Sequence, residues 1–251
     1  MKFICIIPAR YASTRFPGKP LAMIGGKTMI ERVYTRARMA IDDVIVATDD
    51  SRIARAVEAF GGRAVMTSPD HRSGTDRCYE AYLLSGSDAD VVINIQGDEP
   101  FIDPRQIRTL QGCFDSPATD IATLIRRFDP QLGFDALFDP NTPKVVTGQD
   151  GRALYFSRSI IPYVRGVSHT EWLDRATFFT HVGIYAYRTA VLSEIVKLER
   201  SPLEIAESLE QLRWLQNGYN IQTAVTDCPT IGIDTPADLE QAVKFLESHP
   251  Q

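Results

Sequence analysis

The chain has 251 residues, 44% of them hydrophobic and 24% charged, with a net charge of -5. That is enough chain to bury about 70% of its unfolded surface, so neither disulfides nor a structural metal are needed for stability. The acidic balance argues against a nucleic-acid partner, which usually selects a basic protein, and no run approaches the length of a membrane span. The four cysteines, Cys5, Cys78, Cys113 and Cys228, form no C-x-x-C pair and match no zinc spacing. They read as reduced thiols. The apolar run from Phe3 to Pro8 is too short for a secretory signal. The expectation is a cytoplasmic protein.

The first half alternates strand and helix patterns. Phe3 to Ile7 is a continuous apolar run, the mark of a strand buried on both faces. The periodicity predicts a helix over Thr28 to Ala40, a strand over Val44 to Ala47, and a helix over Ser51 to Phe60 that stops at Gly61-Gly62. A strand over Arg63 to Met66, a helix over Gly74 to Leu84 and a buried strand over Asp90 to Ile95 follow. Pro104 to Phe114 reads as a helix opened by proline, and Ile121 to Ile125 as a fifth strand. Repeated βαβ units imply an α/β fold with a mostly parallel twisted sheet flanked by helices. Ligands in such sheets lie beyond the carboxyl ends of the strands.

The second half is less regular. Lys144 to Thr147 and Ala153 to Phe156 form a hairpin pattern around Gln149-Asp150-Gly151. Tyr163 to Arg175 is a polar loop pattern and Thr177 to Tyr187 is strand-like. Pro202 to Gln216 reads as one helix, Ile221 to Val225 as a strand, and Pro236 to Glu247 as the final helix. No repeat and no linker composition appears, so residues 1–251 are read as a single domain.

Three segments carry candidate chemistry. The loop after the first strand places Arg10, Arg15 and Lys19 within ten residues of each other, beside Gly18. Guanidinium forks and an ammonium suit a triphosphate, and a solvated basic loop is the other reading. Gly26-Lys27-Thr28 is not a P-loop, because Leu21 stands where that motif needs glycine. No G-x-G-x-x-G follows the first strand, which counts against a nicotinamide enzyme. Gln96-Gly97-Asp98-Glu99-Pro100 follows a buried strand, so Asp98 stands either as a Mg²⁺ ligand or as a solvated turn residue. In Asp234-Thr235-Pro236-Ala237-Asp238, Thr235 and Asp238 form a capping-box pattern. Asp234 either supplies a second carboxylate or merely precedes the cap.

Taken together, several segments resemble the 3-deoxy-manno-octulosonate (Kdo) cytidylyltransferases. They are the stretch from Ile7 to Pro20, Ser73-Gly74-Thr75-Asp76-Arg77, the QGDEP at 96 to 100, and Ala153 to Arg158. His181 to Tyr187, Ser201 to Glu204, Leu209 to Arg213 and Asp234-Thr235-Pro236 extend the match along essentially the whole chain. The resemblance implies a GT-A-like nucleotidyltransferase fold with a smaller antiparallel excursion, usually as a homodimer. It implies CTP and Kdo as substrates, CMP-Kdo and pyrophosphate as products, and a place in lipopolysaccharide biosynthesis. It further implies Mg²⁺ on Asp98 and Asp234, with Arg10 and Lys19 on phosphates. Ala9, Ser13, Thr14, Ser73, Gly74, Arg77 and Gln96 would shape the nucleotide site, and Gln96, Arg158, His181, Tyr185, Glu210 and Gln211 would face the sugar acid. Without the resemblance, Arg158 reads as a surface ion pair, His181 as a hydrogen-bonded core residue, Tyr185 as packing, and Glu207, Glu210 and Gln211 as an exposed helical stripe. Rival readings are a cytidylyltransferase for 8-amino-Kdo or sialic acid, a GT-A glycosyltransferase, and a non-catalytic CTP-binding protein.

Overall fold

The computed structural model describes residues 1–12, 16–229 and 232–248. In chain order the elements are β1 (Phe3–Ala9), β2 (Met23–Ile24), β3 (Lys27–Thr28), α1 (Met29–Arg38), β4 (Val44–Thr48), α2 (Ser51–Ala59) and β5 (Ala64–Met66). Then come α3 (Gly74–Ser85), β6 (Val91–Asn94), α4 (Pro104–Gly112), β7 (Ile121–Arg127), α5 (Gly133–Phe138), β8 (Lys144–Thr147) and β9 (Ala153–Ser157). The rest are α6 (Trp172–Arg175), β10 (Phe179–Arg188), α7 (Thr189–Ile195), α8 (Pro202–Glu207), α9 (Gln211–Gln216), β11 (Ile221–Val225) and α10 (Pro236–Ser248).

Compactness divides the chain into two units. One holds residues 1–108, 186–196 and 228–251, and the other residues 109–185 and 197–227. Two of the four crossings fall inside α4 and β10, and the other two in the loops after α7 and β11. No linker separates the units in sequence, so no shift in composition announces them.

In the first unit β1 pairs in parallel with both β4 and β6, and β4 pairs in parallel with β5. Ile4, Ile6, Ile7, Val46 and Ile93 are fully buried, as the continuous apolar runs require. Parallel pairing sends the chain back through helices. Thr28 starts α1 by accepting the Glu31 N–H at 3.3 Å, and Asp50 starts α2 by accepting that of Arg52 at 2.8 Å. Helix α1 buries Met29, Ile30, Val33 and Ala37, all on one face at helical spacing. A second cluster joins Ile24, Met29, Phe101, Ile233 and Ala242, with Phe101 and Phe245 edge to face at 5.1 Å. This cluster packs β2, the segment after Asp98 and α10 together.

In the second unit β7 pairs in parallel with β11, while β8 pairs antiparallel with β9 and β10. This is the expected antiparallel excursion. The β8–β9 turn closes as the Asp-Gly signal predicts. Gly151, at φ 78°, takes the left-handed position and donates to the Gly148 carbonyl at 3.0 Å.

Several element expectations need correction. The helix expected over Pro202 to Gln216 is two helices, because Ser208 adopts φ 51° and ψ 47° and turns the chain out of α8. The loop expected over Tyr163 to Arg175 ends in α6, whose Trp172 is buried with Phe128, Leu137 and Phe178. The helix expected over Pro104 to Phe114 ends at Gly112 and gives way to a 3₁₀ turn at Cys113–Asp115. The short hairpin β2–β3 and helices α5 and α7 had no clear periodic signal. None of the four cysteines is in a disulfide.

Candidate active site

In the first unit the strands β1, β4 and β6 end side by side, and the segments that follow them meet. Gly97 passes so close to β1 that a Cβ there would lie 2.9 Å from the Pro8 carbonyl oxygen. Only glycine fits that approach. The Asp98 carbonyl accepts the Ile233 N–H at 3.0 Å, which ties the turn after β6 to the segment leading into α10. The Asp238 carboxylate accepts the N–H groups of Asp234 at 3.0 Å and Thr235 at 2.8 Å, and the Thr235 hydroxyl accepts from the Asp238 N–H at 3.3 Å. The predicted capping box is therefore present, and it fixes Asp234 just outside the helix.

Lys19 sits where these segments converge. Its ammonium lies 2.6 Å from Asp98 Oδ2 and 3.3 Å from Asp234 Oδ1, with the side chain only 14% exposed. Three residues far apart in sequence thus make one charge cluster. Lys19 reaches it because Gly18, at φ 72°, turns the chain into a single 3₁₀ turn with Pro20 at its start. The pair of carboxylates can do more than neutralise Lys19. Hard oxygen donors suit Mg²⁺, which is commonly held by one or two carboxylates and completed by phosphate oxygens and water. Among the described residues no group of three His, Cys, Asp or Glu side chains gathers as a metal site. A two-carboxylate set completed by substrate oxygens fits what the chain supplies. Next to it, the Glu99 carboxyl is pushed up to about 7, first by burial and then by the Asp98 charge.

The other first-unit candidates are placed differently. Arg10 donates through Nη2 to the His71 carbonyl, and the His71 ring lies 2.5 Å from Glu80 Oε2. Burial lowers the Arg10 pKa. Ser73 caps α3, accepting the Asp76 N–H at 3.1 Å while the Asp76 carboxylate accepts the Ser73 N–H at 3.2 Å. Gly74 rides over the Pro8 ring. Arg77 is fully buried, donating to Asp49 Oδ2 at 2.9 Å and Thr67 Oγ1 at 2.6 Å. It fastens α3 to the strand ends rather than presenting a charge outward. Asp49 and Thr67 were missed in the sequence, although Asp49 sits at a strand's carboxyl end as Asp98 does. Ala9 ends β1, and Gln96 opens the turn, its carbonyl accepting the Glu99 N–H at 3.3 Å. Ser13 and Thr14, with Arg15, lie outside the described residues.

The second unit holds the residues expected on the sugar acid, apart from Gln96, which lies in the first unit. His181, on β10, has its Nε2 2.9 Å from the Thr123 hydroxyl oxygen on β7. Phe156 and Tyr185 flank its ring with centroids 5.2 and 5.3 Å away, and Tyr185 in turn packs on Trp214 at 5.1 Å. Burial among these rings pushes the His181 pKa down to about 4, so the imidazole is neutral at pH 7. Glu210 accepts from Arg213 Nη2 at 2.7 Å. Gln211 is 4% exposed, and its amide nitrogen meets no acceptor among the described residues. Arg158 is held by backbone carbonyls and by Glu207. Glu207 bonds Ser157 as well, at 2.6 Å. The alternative reading, an exposed stripe of Glu207, Glu210 and Gln211, does not hold: the helix breaks at Ser208 between the first and the others, Glu207 and Glu210 make separate bonds, and Gln211 is buried.

Among the described residues no helix is long and apolar enough to cross a membrane. The sequence profile of the cytidylyltransferase family matches residues 4–221. A 3-deoxy-manno-octulosonate cytidylyltransferase of Parabacteroides distasonis is 61% identical over 247 residues, covering 98% of both chains. One of Bacteroides thetaiotaomicron is 59% identical over 248 residues, covering 99% of both. The solved structure of CMP:2-keto-3-deoxy-manno-octonic acid synthetase, complexed with CTP, superposes with a TM-score of 0.90 at 47% identity over 99% of each chain. With a matching fold, near-complete coverage and this level of identity, the chain belongs to the cytidylyltransferase family, among its 3-deoxy-manno-octulosonate cytidylyltransferases.

Proposed function

We propose that the protein transfers CMP from CTP to the anomeric hydroxyl of Kdo, releasing pyrophosphate and activating the sugar for lipopolysaccharide assembly. The observation that carries this reading is the meeting of Lys19 with Asp98 and Asp234 beyond the strand ends. Relatives that share about three-fifths of the sequence carry the same activity in their names. The anomeric oxygen would form the new bond to the α-phosphorus as the bond to the β-phosphate oxygen breaks, and the hydroxyl proton would leave to water. Such a reaction asks the protein mainly to position its reactants and to stabilise phosphoryl charge.

Lys19, freed from its carboxylates by an incoming triphosphate, would place its ammonium on phosphate oxygens. The buried Arg77 and the capped Ser73 would hold the start of α3 rigid beside β1. Asp98 and Asp234 would hold Mg²⁺, which when bound would neutralise charge on the phosphates. In the second unit, neutral His181 would act as a hydrogen-bonding group and not as a counter-charge for the sugar carboxylate. Gln211 would offer an amide N–H, and Tyr185 and Glu210 would complete the sugar contacts. We further propose that it is a homodimer, as the sequence resemblance implies, and that it works in the cytoplasm.

The test is pyrophosphate release from CTP with Mg²⁺, offering Kdo, 8-amino-Kdo and N-acetylneuraminate in parallel. Release with Kdo, abolished by EDTA, is expected. Release only with another sugar would overturn the substrate and keep the chemistry. Saturable CTP binding without release from any sugar would overturn the enzymatic reading.

A further inference from the structure

Arg158 directly follows β9, with its guanidinium turned onto the backbone. Nε donates to the Glu207 carbonyl at 2.6 Å, Nη1 to the Pro140 carbonyl at 2.8 Å, and Nη2 to the Ser208 carbonyl at 3.2 Å. The Glu207 carboxylate answers from the other side, accepting the Arg158 N–H at 2.9 Å and the Ser157 hydroxyl at 2.6 Å. The Arg158 carbonyl accepts from the buried Lys144 ammonium at 3.2 Å, and Lys144 also donates to the carbonyls of Asp139 at 2.7 Å and Thr142 at 2.8 Å. Two cations thus tie the end of β9 to the 139–142 loop and to the turn between α8 and α9.

That turn contains Ser208, the only non-glycine residue in the left-handed region among the described residues. An L-residue is disfavoured there, and such a conformation persists only where its surroundings over-determine it. A right-handed Ser208 would continue α8 and aim the carbonyls of Glu207 and Ser208 along the helix axis. The left-handed one turns both toward a single guanidinium. Two residues later the chain enters α9 through Glu210 and Gln211, and the Gln211 amide nitrogen is a buried donor that meets no acceptor among the described residues. A buried N–H left unmatched is costly unless a ligand answers it.

We infer that Arg158 is a positioning residue: it holds the strained Ser208 turn so that Gln211 and Glu210 face the sugar acid, and it does not bind the sugar itself. The inference rests on the sugar-acid reading given above. Its guanidinium is turned onto three carbonyls, whereas Gln211 keeps a buried amide N–H that no described residue answers.

The test is a four-member cycle: wild type, Arg158→Ala, Ser208→Gly and the double variant. Arg158→Ala raises the KM for Kdo about tenfold and leaves the KM for CTP within about twofold, the scale of one charge-assisted hydrogen bond. Ser208→Gly alone changes neither by more than about twofold, since glycine adopts the left-handed conformation without penalty. The double variant regains about threefold of the lost sugar KM, because glycine removes the bias of the unclamped turn toward the right-handed state. A double variant no better than Arg158→Ala would show direct contact with the sugar and overturn the inference, as would equal losses on CTP and Kdo. If Arg158→Ala does not fold, Arg158→Lys, which keeps a donor near the carbonyls, is read in the same way. Thermal unfolding of the four proteins needs no substrate. There Ser208→Gly raises the Tm more in the Arg158 variant than in wild type. Should wild type release no pyrophosphate with Kdo, the functional reading fails on its own, and this Tm coupling still upholds or overturns the clamp.

Discussion

Acidification should destabilise this protein through His181. Its ring lies against Phe156 and Tyr185 with Thr123 on Nε2, and burial lowers its pKa from 6.5 to about 4. The unfolded chain therefore binds a proton that the folded one refuses. Above pH 6.5 both states are neutral and the residue has no linkage effect. As the pH falls from 6.5 toward 4 the unfolded state gains protons first, and stability falls. Linkage sets the loss at about 2 kcal/mol at pH 5, rising to about 3 kcal/mol below pH 4. Other groups titrate over the same range, so the informative quantity is a difference. Urea unfolding of wild type and His181→Gln at pH 7.5 and pH 5 isolates it, glutamine keeping a hydrogen-bonding group without a titrating one. Wild type should lose about 2 kcal/mol more than the variant across that interval. Equal losses would mean that the imidazole is solvated enough to protonate in the folded state, and the assignment of a neutral His181 at pH 7 would fall with it.

The first unit yields three further expectations. Asp98→Ala should lower turnover at least about a hundredfold, the scale of removing one group from a charge-stabilising site. Its circular dichroism should be unchanged, and near-normal Mg²⁺-dependent turnover would exclude Asp98 as a metal ligand. Gly97→Ala should cost about 1–3 kcal/mol, because the new methyl presses on the Pro8 carbonyl and the backbone must move. For a chain of this size that is a fall in Tm of about 2–4 °C per kcal/mol, with turnover lowered as Asp98 shifts. Unchanged Tm and turnover would refute the close approach. Arg77→Met should destabilise by about 3–5 kcal/mol by leaving Asp49 half-buried without its cation, and Arg77→Met with Asp49→Asn should recover part of that loss in denaturant titrations. A milder single variant would mean that water reaches the Asp49 carboxylate.

Much of the first unit was legible because its signals are local. Continuous apolar runs fix β1, β4 and β6, and a glycine-flanked aspartate after a buried strand marks Asp98. A threonine with an acidic residue three positions on marks the start of α10. The second unit defeats the same reasoning at particular residues. Nothing in Glu207-Ser208-Leu209 announces a left-handed turn, since neither glycine nor asparagine is present, and the strain is supported by Arg158, fifty residues away in sequence. The division into two units is equally silent, because two of its four crossings lie inside α4 and β10, where helix and strand patterns run on without a break.

The cations show most clearly where sequence reasoning stops. Lys19, Arg10, Arg77 and Arg158 all stand in family segments, and each reads equally well as an anion-binding group. A guanidinium has several donors in a fixed fork, so it serves a carbonyl cluster or a buried carboxylate as readily as a phosphate. The choice depends on which acceptors the fold brings within reach. Arg77 finds Asp49 and Thr67 inside the core, Arg158 finds three carbonyls around a strained turn, and Arg10 leans on the His71 carbonyl. Lys19 alone of these four rests on two carboxylates at the strand ends. An ammonium held only by carboxylates can exchange them for phosphate oxygens without breaking a backbone contact, whereas moving Arg158 would release the Ser208 turn. The chemistry is therefore expected to follow Lys19, and the arginines to follow the framework that holds it.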